Sequence, residues 1–102
     1  MGNPGSMSRN EIIETLRSHM AEIKAQGVLR LAVFGSCVRG EGRPGSDVDI
    51  LVEFETPVSI FKFLDVKEYL EGILGRSVDL VMRGALKPQL RERILAEAVS
   101  AI

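Results

Sequence analysis

The sequence has few of the residues that reveal a chemistry by themselves: one cysteine, Cys37, one histidine, His19, and no tryptophan among 102 residues. A single cysteine excludes an internal disulfide, so we expect a reducing, cytoplasmic location. Because His19 is the only histidine and belongs to a different predicted element, the sequence does not indicate a cysteine–histidine nucleophile pair.

Charge of one sign and long apolar runs are also lacking. The 13 basic and 14 acidic residues leave a net charge of −1, which argues against a sequence-independent nucleic-acid binder. No apolar run is long enough to span a bilayer, and the opening residues, MGNPGSMSRN, do not form a signal peptide. We expect residues 1–6 to be a tag remnant or a disordered tail and residues 7–102 to form one domain.

A chain of this length, 45% hydrophobic, can bury a modest core but has little room for a deep, enclosed pocket. If the protein is an enzyme, we therefore expect a partner or the substrate itself to complete the site.

Hydrophobic periodicity predicts alternating helices and strands. Ser8 and Glu11 form a capping box before a helical pattern that stops at Gly27. The pattern then predicts strands over residues 28–34, 47–54 and 77–82, and helices over residues 59–74 and 87–99. This order predicts an α/β (α+β) fold with a central, mostly three-stranded sheet and helices packed against it.

Three aspartates lie on the predicted sheet. Asp47 and Asp49 point to the same side of one strand, roughly 6–7 Å apart at about 3.3 Å per residue. Asp79 is the polar residue of the apolar run SVDLVM on another strand. An Asp-x-Asp pair alone is more typical of a solvated strand edge, but clustered carboxylates also suit Mg²⁺ or Mn²⁺. Three acids from two strands could hold two such ions, which stabilise the attacking and leaving oxygens of a phosphoryl displacement.

The loop between the first two strands, GSCVRGEGRPGS, favours the second interpretation. Gly35 lets the backbone approach an anion closely, Ser36 adds a hydroxyl, and Arg39 can pair with phosphate oxygens. The loop lacks the G-K-[ST] signature of a Walker A motif. A phosphate-binding loop beside a cluster of acids predicts a nucleoside-triphosphate site.

The combined motif resembles that of a known family. Gly35-Ser36, ten intervening residues and Asp47-Val48-Asp49 are similar to the nucleotidyltransferase signature of the DNA polymerase β superfamily. The longer stretch FGSCVRGEGRPGSDVDILVEF resembles the minimal nucleotidyltransferases of prokaryotes, the MNT-domain antitoxins that pair with HEPN-domain toxins. The similarity extends over nearly the whole chain from Met7.

The resemblance implies roles for the acids and the cofactors. Asp47 and Asp49 would ligate two Mg²⁺ ions, for which Mn²⁺ could substitute. Asp79 would ligate the catalytic ion and help to deprotonate the incoming hydroxyl. ATP would be the donor, and the acceptor would be a hydroxyl of a HEPN ribonuclease, which forms a hetero-oligomer with its antitoxin.

The resemblance also implies that Gly35, Ser36 and Arg39 hold the triphosphate. Ser46 would bond a phosphate or shape the turn. Two other functions stay open on the residues alone. The first is nucleotidyl transfer to a small molecule or an RNA end, although larger relatives of that kind usually carry an additional helical domain. The second is a non-catalytic module that masks a toxin.

Overall fold

A computed structural model of the chain describes residues 8–35, 38 and 47–102. The predicted tail over residues 1–6 lies outside these ranges, as do Ser36, Arg39 and Ser46. The division into a tail and a single domain over residues 7–102 therefore stays a prediction.

The described residues form helices on a mixed sheet. In chain order the elements are α1 (Arg9–Ser18), α2 (Met20–Ala25), β1 (Val28–Phe34), β2 (Val48–Phe54), α3 (Ile60–Leu74), β3 (Val78–Met82), a 3₁₀ turn (Arg83–Ala85), α4 (Pro88–Glu97) and β4 (Val99–Ser100). The sheet order is β3-β2-β1-β4. Strands β2 and β3 are parallel, whereas β1 is antiparallel to both β2 and β4. The predicted α+β class is confirmed.

The first helix begins as predicted but is broken once. Ser8 Oγ accepts the Glu11 N–H at 3.2 Å, and Glu11 Oε1 accepts the Ser8 N–H at 3.1 Å, so the capping box is present. The single predicted helix is wrong at His19, whose backbone (φ −107°, ψ 16°) separates α1 from α2. The His19 ring, through Nδ1, bonds the Thr15 carbonyl at 2.9 Å, a local contact that competes with regular helix geometry.

The end of the chain differs from the predicted helix over residues 87–99. Helix α4 ends at Glu97 because Ala98 turns to an extended backbone (φ −65°, ψ 138°). Val99 and Ser100 then pair with Val33 and Ala32 of β1, which adds a fourth strand to the predicted three. Pairing with an existing sheet edge outweighs the helix propensity of this short segment.

The hydrophobic core lies between one face of the sheet and the helices α1, α2 and α3. Its members are buried aliphatic residues: Ile12, Ile13, Leu16, Ile23, Val28, Leu31, Val33, Val48, Ile50, Val52, Val66, Leu70, Leu74, Val78, Leu80 and Ala101. Helix α4 contributes no buried residue, and its Leu90 is 44% exposed. Within the described ranges, no helix combines the length and the apolar character that crossing a lipid bilayer requires.

Candidate active site

The carboxylates of the candidate site lie at one end of β2 and β3. Because these strands are parallel, residues in register share an end of the sheet, and Asp49 of β2 is the register partner of Asp79 of β3. Asp79 is exposed and Asp49 is half-buried. Asp47 directly precedes β2 and is exposed at the same end of the strand. The sheet thus brings Asp49 and Asp79 side by side; the sequence pattern predicts only that they lie on two strands of one sheet.

The head of the predicted phosphate loop lies directly against Asp49. Phe34, the last residue of β1, is the antiparallel partner of Asp49, so the next residue, Gly35, meets the carboxylate. Gly35 has a φ of +81°, and a Cβ built on it would overlap Oδ2 of Asp49. Both facts explain why this position needs glycine. The sequence predicts that an anion approaches the backbone closely at Gly35. In the structure, the group that lies there is the carboxylate of Asp49.

The structure adds a residue that the sequence reasoning missed. The Gly35 N–H donates to Oε1 of Glu97 at 2.9 Å, in a partly buried contact that spans 62 residues of sequence. Glu97 is the last residue of α4 and precedes the β4 strand. In the sequence it is one more acid at the end of a helical pattern. Only the unpredicted turn into β4 brings it to the loop, so no sequence signal could have found it.

The donor set agrees with a hard divalent cation. Asp47, Asp49 and Asp79 offer only carboxylate oxygens, which are the ligands that Mg²⁺ and Mn²⁺ accept most readily. Among the described residues, no three side chains of the histidine, cysteine, aspartate and glutamate types are grouped as a metal site. The three aspartates thus fit such an ion by the chemistry of their donor atoms and share one end of the sheet, but the described side chains are not gathered around a common point.

A small cavity of about 260 Å³ continues along the same sheet face, beneath α4. Leu51 and Glu53, which follow Asp49 on this face of β2, line it together with Leu95 and Ala98 of the α4 segment. Arg83 Nη1 pairs with Glu53 Oε1 at 3.3 Å at its edge. The face that carries the candidate site thus combines charged and apolar side chains and is incompletely covered, in contrast to the core on the other side.

Comparison with known proteins identifies the family. The family model named Nucleotidyltransferase domain matches residues 13–101, which is most of the chain. The chain belongs to this family and is an enzyme of the nucleotidyltransferase type. The prediction made from the Gly-Ser and Asp-x-Asp motif is confirmed.

Individual relatives show which members of the family this chain resembles. The chain is 46% identical over 94 residues to the protein adenylyltransferase MntA of Thermococcus cleftensis, covering 91% of this chain and 95% of the relative. It is 39% identical to a solved structure assigned by inference as a minimal nucleotidyltransferase. That match has a TM-score of 0.72 and covers 94% of this chain and 98% of the other. The predicted resemblance to minimal nucleotidyltransferases is confirmed.

A more distant solved structure shares the fold. It is the complex of a tri-AMPylated HEPN toxin of Shewanella oneidensis with its MNT antitoxin, matched at a TM-score of 0.63 with 15% identity. The match covers 88% of this chain and 71% of the chain in that complex. At this identity the similarity establishes the common fold.

Proposed function

We propose that this protein transfers AMP from ATP to a hydroxyl of a partner protein, and that the partner is a HEPN-family toxin. The observation that carries the proposal is the pairing of Asp49 with Asp79 in register, directly beside Gly35. The proximity of these three residues at one end of the sheet supports the proposal. The protein acceptor is supported by the relative that is named a protein adenylyltransferase and is similar along nearly the whole chain.

In the proposed reaction, the acceptor oxygen attacks the α-phosphorus of ATP. A new oxygen–phosphorus bond forms, the bond from the α-phosphorus to the bridging oxygen breaks, and pyrophosphate leaves. Asp79 takes up the proton of the acceptor hydroxyl, because an exposed carboxylate at the end of its strand is open to an incoming group. Its register partner Asp49 lies beside it and would act on the phosphate through the cation that it would hold, because a carboxylate by itself repels phosphate.

Two Mg²⁺ ions, or Mn²⁺ in their place, are part of the proposal, with Asp47, Asp49 and Asp79 as the residues that would hold them. When bound, such ions neutralise triphosphate charge and stabilise the attacking and leaving oxygens. Gly35, Ser36, Arg39 and Ser46 are proposed to shape the triphosphate site. The location is proposed to be cytoplasmic because a protein with a single cysteine has no need of an oxidising compartment.

A second candidate is a binding module that masks a toxin without modifying it. Three apolar side chains exposed on the first turns of α3 favour it, namely Ile60 (62% exposed), Phe61 (76%) and Leu64 (49%). Such a surface is suited to contact with another protein. The two candidates differ in one observable, the covalent change of the partner.

The test is intact-mass spectrometry of this protein incubated with Mg²⁺, ATP and the product of the neighbouring gene. We expect the partner mass to rise in whole AMP units, with no rise when Asp49→Asn replaces the wild type. A stable complex without a mass change, for each of the four nucleoside triphosphates, would support masking. Neither complex nor modification would direct attention to small-molecule or RNA acceptors.

A further inference from the structure

We infer that Glu97 is a positioning residue for the nucleotide loop, because its carboxylate holds the backbone amide of Gly35. Only the expected consequence of this contact, a change in the affinity for nucleotide, rests on the proposed function. The contact itself is a property of the fold.

The Glu97–Gly35 contact is a hydrogen bond of 2.9 Å between a carboxylate oxygen and a backbone N–H. Hydrogen bonds to an ionised acceptor are stronger than those between neutral groups. Gly35 is buried, so its N–H would lose hydration without a replacement if Glu97 were absent. The contact therefore fixes the point at which the chain leaves β1 and enters the loop.

The backbone around Glu97 holds its side chain in place. The Ala98 N–H donates to the Ile94 carbonyl at 2.9 Å and closes the last turn of α4. Two residues after Glu97, Val99 pairs with Val33 of β1, immediately before Phe34 and Gly35. Glu97 thus leaves its helix beside the end of β1.

The residues after β4 anchor this arrangement in the core. Ala101 is buried, and its N–H donates to the Leu31 carbonyl at 2.8 Å. Its own carbonyl accepts Nε–H of Arg17 at 2.9 Å, which ties the chain end to α1. The carboxylate of Glu97 is therefore presented by a segment held to β1 and α1.

The same contact refines the role of Gly35. Its N–H already donates to an internal carboxylate, while its Cα lies against the Asp49 side chain. Gly35 is thus held between two acids, one from α4 and one from β2. On this inference Gly35 serves the triphosphate site by its conformation, because its N–H already donates to Glu97.

Three substitutions at Glu97 and one control test the inference. Glu97→Ala removes the acceptor, Glu97→Asp withdraws it by one methylene, and Glu97→Gln retains an uncharged oxygen at the same reach. Glu92→Ala is the control, because Glu92 is an exposed acid of the same helix. Two quantities are measured: the hydrogen-exchange rate of the Gly35 amide by NMR, and the dissociation constant of a non-hydrolysable ATP analogue with Mg²⁺ by calorimetry.

We expect Glu97→Ala to raise both the Gly35 exchange rate and the dissociation constant about tenfold, the size of effect that one lost hydrogen bond produces. Glu97→Asp should change both in the same direction, and it replaces Glu97→Ala in the comparison if the alanine variant does not fold. Glu97→Gln and Glu92→Ala should stay within about threefold of the wild type. Exchange of core amides such as that of Ile50 should not change.

Several results would overturn the inference. These are an unchanged Gly35 exchange rate in Glu97→Ala and Glu97→Asp, a faster exchange rate without weaker nucleotide binding, or a Glu97→Gln variant as impaired as Glu97→Ala. A wild type that binds the ATP analogue but modifies no protein would remove the proposed function and leave this test intact. A wild type that binds no nucleotide would overturn both.

Discussion

The two faces of the sheet differ in how they are covered. The face toward α1, α2 and α3 carries the buried core, and Val33, Ile50 and Val52 there are at most 1% exposed. The opposite face carries Asp49 and Asp79, and its helix α4 has no buried residue. Stability is thus concentrated on one face, which leaves the other free to keep charged groups near solvent. A site of this kind gains its precision from the rigid strands on which it is built.

Strand β2 belongs to both faces because side chains alternate along a strand. Val48, Ile50 and Val52 face the core, while Asp49 and Glu53 face the site. Substitutions at the even positions Val48, Ile50 and Val52 should therefore affect stability, whereas substitution of Asp49 should affect chemistry. We therefore expect variants on the core face to lose stability and variants on the site face to lose activity. A variant that lost both equally would argue against this division.

The largest difference between the effect on activity and the effect on stability is expected at Asp49. Asp49→Asn removes a charge from the site face, so nucleotide transfer should fall about a thousandfold, the rate equivalent of several kcal/mol of lost transition-state stabilisation. The variant should remain folded, because asparagine has nearly the same shape. Transfer rates and thermal unfolding of the same samples provide the measurement. Asp65→Asn, an exposed position of α3, is the control and should leave both unchanged.

The core face should show the opposite result. Leu70 of α3 is 0% exposed, so Leu70→Ala should lower the free energy of unfolding by about 2–5 kcal/mol. Leu90→Ala, on the incompletely covered α4, should change it by less than about 0.5 kcal/mol. Urea denaturation of both variants measures the difference. Equal losses would mean that α4 is part of the core, and the contrast between the faces would then be incorrect.

Gly35 lies where the two faces meet the loop. Gly35→Ala places a methyl group against the Asp49 carboxylate at a φ of +81°, so we expect about a hundredfold loss of transfer as that carboxylate is displaced. Gly75→Ala is the matched control. Gly75 also has a positive φ, +66°, but has no atom within 4 Å of the added Cβ among the described residues. It should lose about 1 kcal/mol of stability and keep its activity. Equal activity losses in Gly35→Ala and Gly75→Ala would show that backbone strain, and not the contact with Asp49, causes the loss.

Much of this contrast is predictable from local sequence. The core strands are continuous or alternating apolar segments, and the aspartates interrupt them at positions that the alternation assigns to the opposite side. The capping box at Ser8 and the stop at Gly75 depend on neighbours within one turn, so they also follow from the sequence. The family motif also predicts Gly35, Asp47 and Asp49 as site residues, because they lie within one short segment.

The features that the sequence does not predict depend on particular contacts, two of them with distant partners and one local. Strand β4 forms because Val99 reaches the open edge of β1, a pairing that spans most of the chain. Glu97 reaches Gly35 only as a consequence of that pairing. The break at His19 coincides with a side-chain hydrogen bond to the Thr15 carbonyl, a contact that competes with a regular helix. In each case, tertiary or side-chain contacts decide against the local pattern.

The smallest effect is expected at Glu71, which ties the core face to the strand that carries Asp79. Its carboxylate accepts the Val78 N–H at 2.9 Å, and this hydrogen bond is the main cause of a lowered pKa. Burial of Glu71 opposes the shift, and Lys67 adds to it through a contact at 3.4 Å. The folded protein therefore binds the proton of this carboxyl less readily than the unfolded chain.

The stabilisation from Glu71 should be complete above the ordinary glutamate pKa of about 4.3 and should decline as the pH falls through the lower folded value. Glu71→Gln, which loses the charge, should lower the unfolding free energy by about 1 kcal/mol at neutral pH, a value reduced by partial solvent exposure. The difference from the wild type should shrink at about pH 3, where the wild-type carboxyl is more protonated. Urea unfolding at both pH values measures it, with Glu68→Gln, an exposed acid of the same helix, as the control. A difference between wild type and Glu71→Gln that grows toward acid pH would mean that the Val78 contact does not depend on the charge, and that β3 is held in place by the core alone.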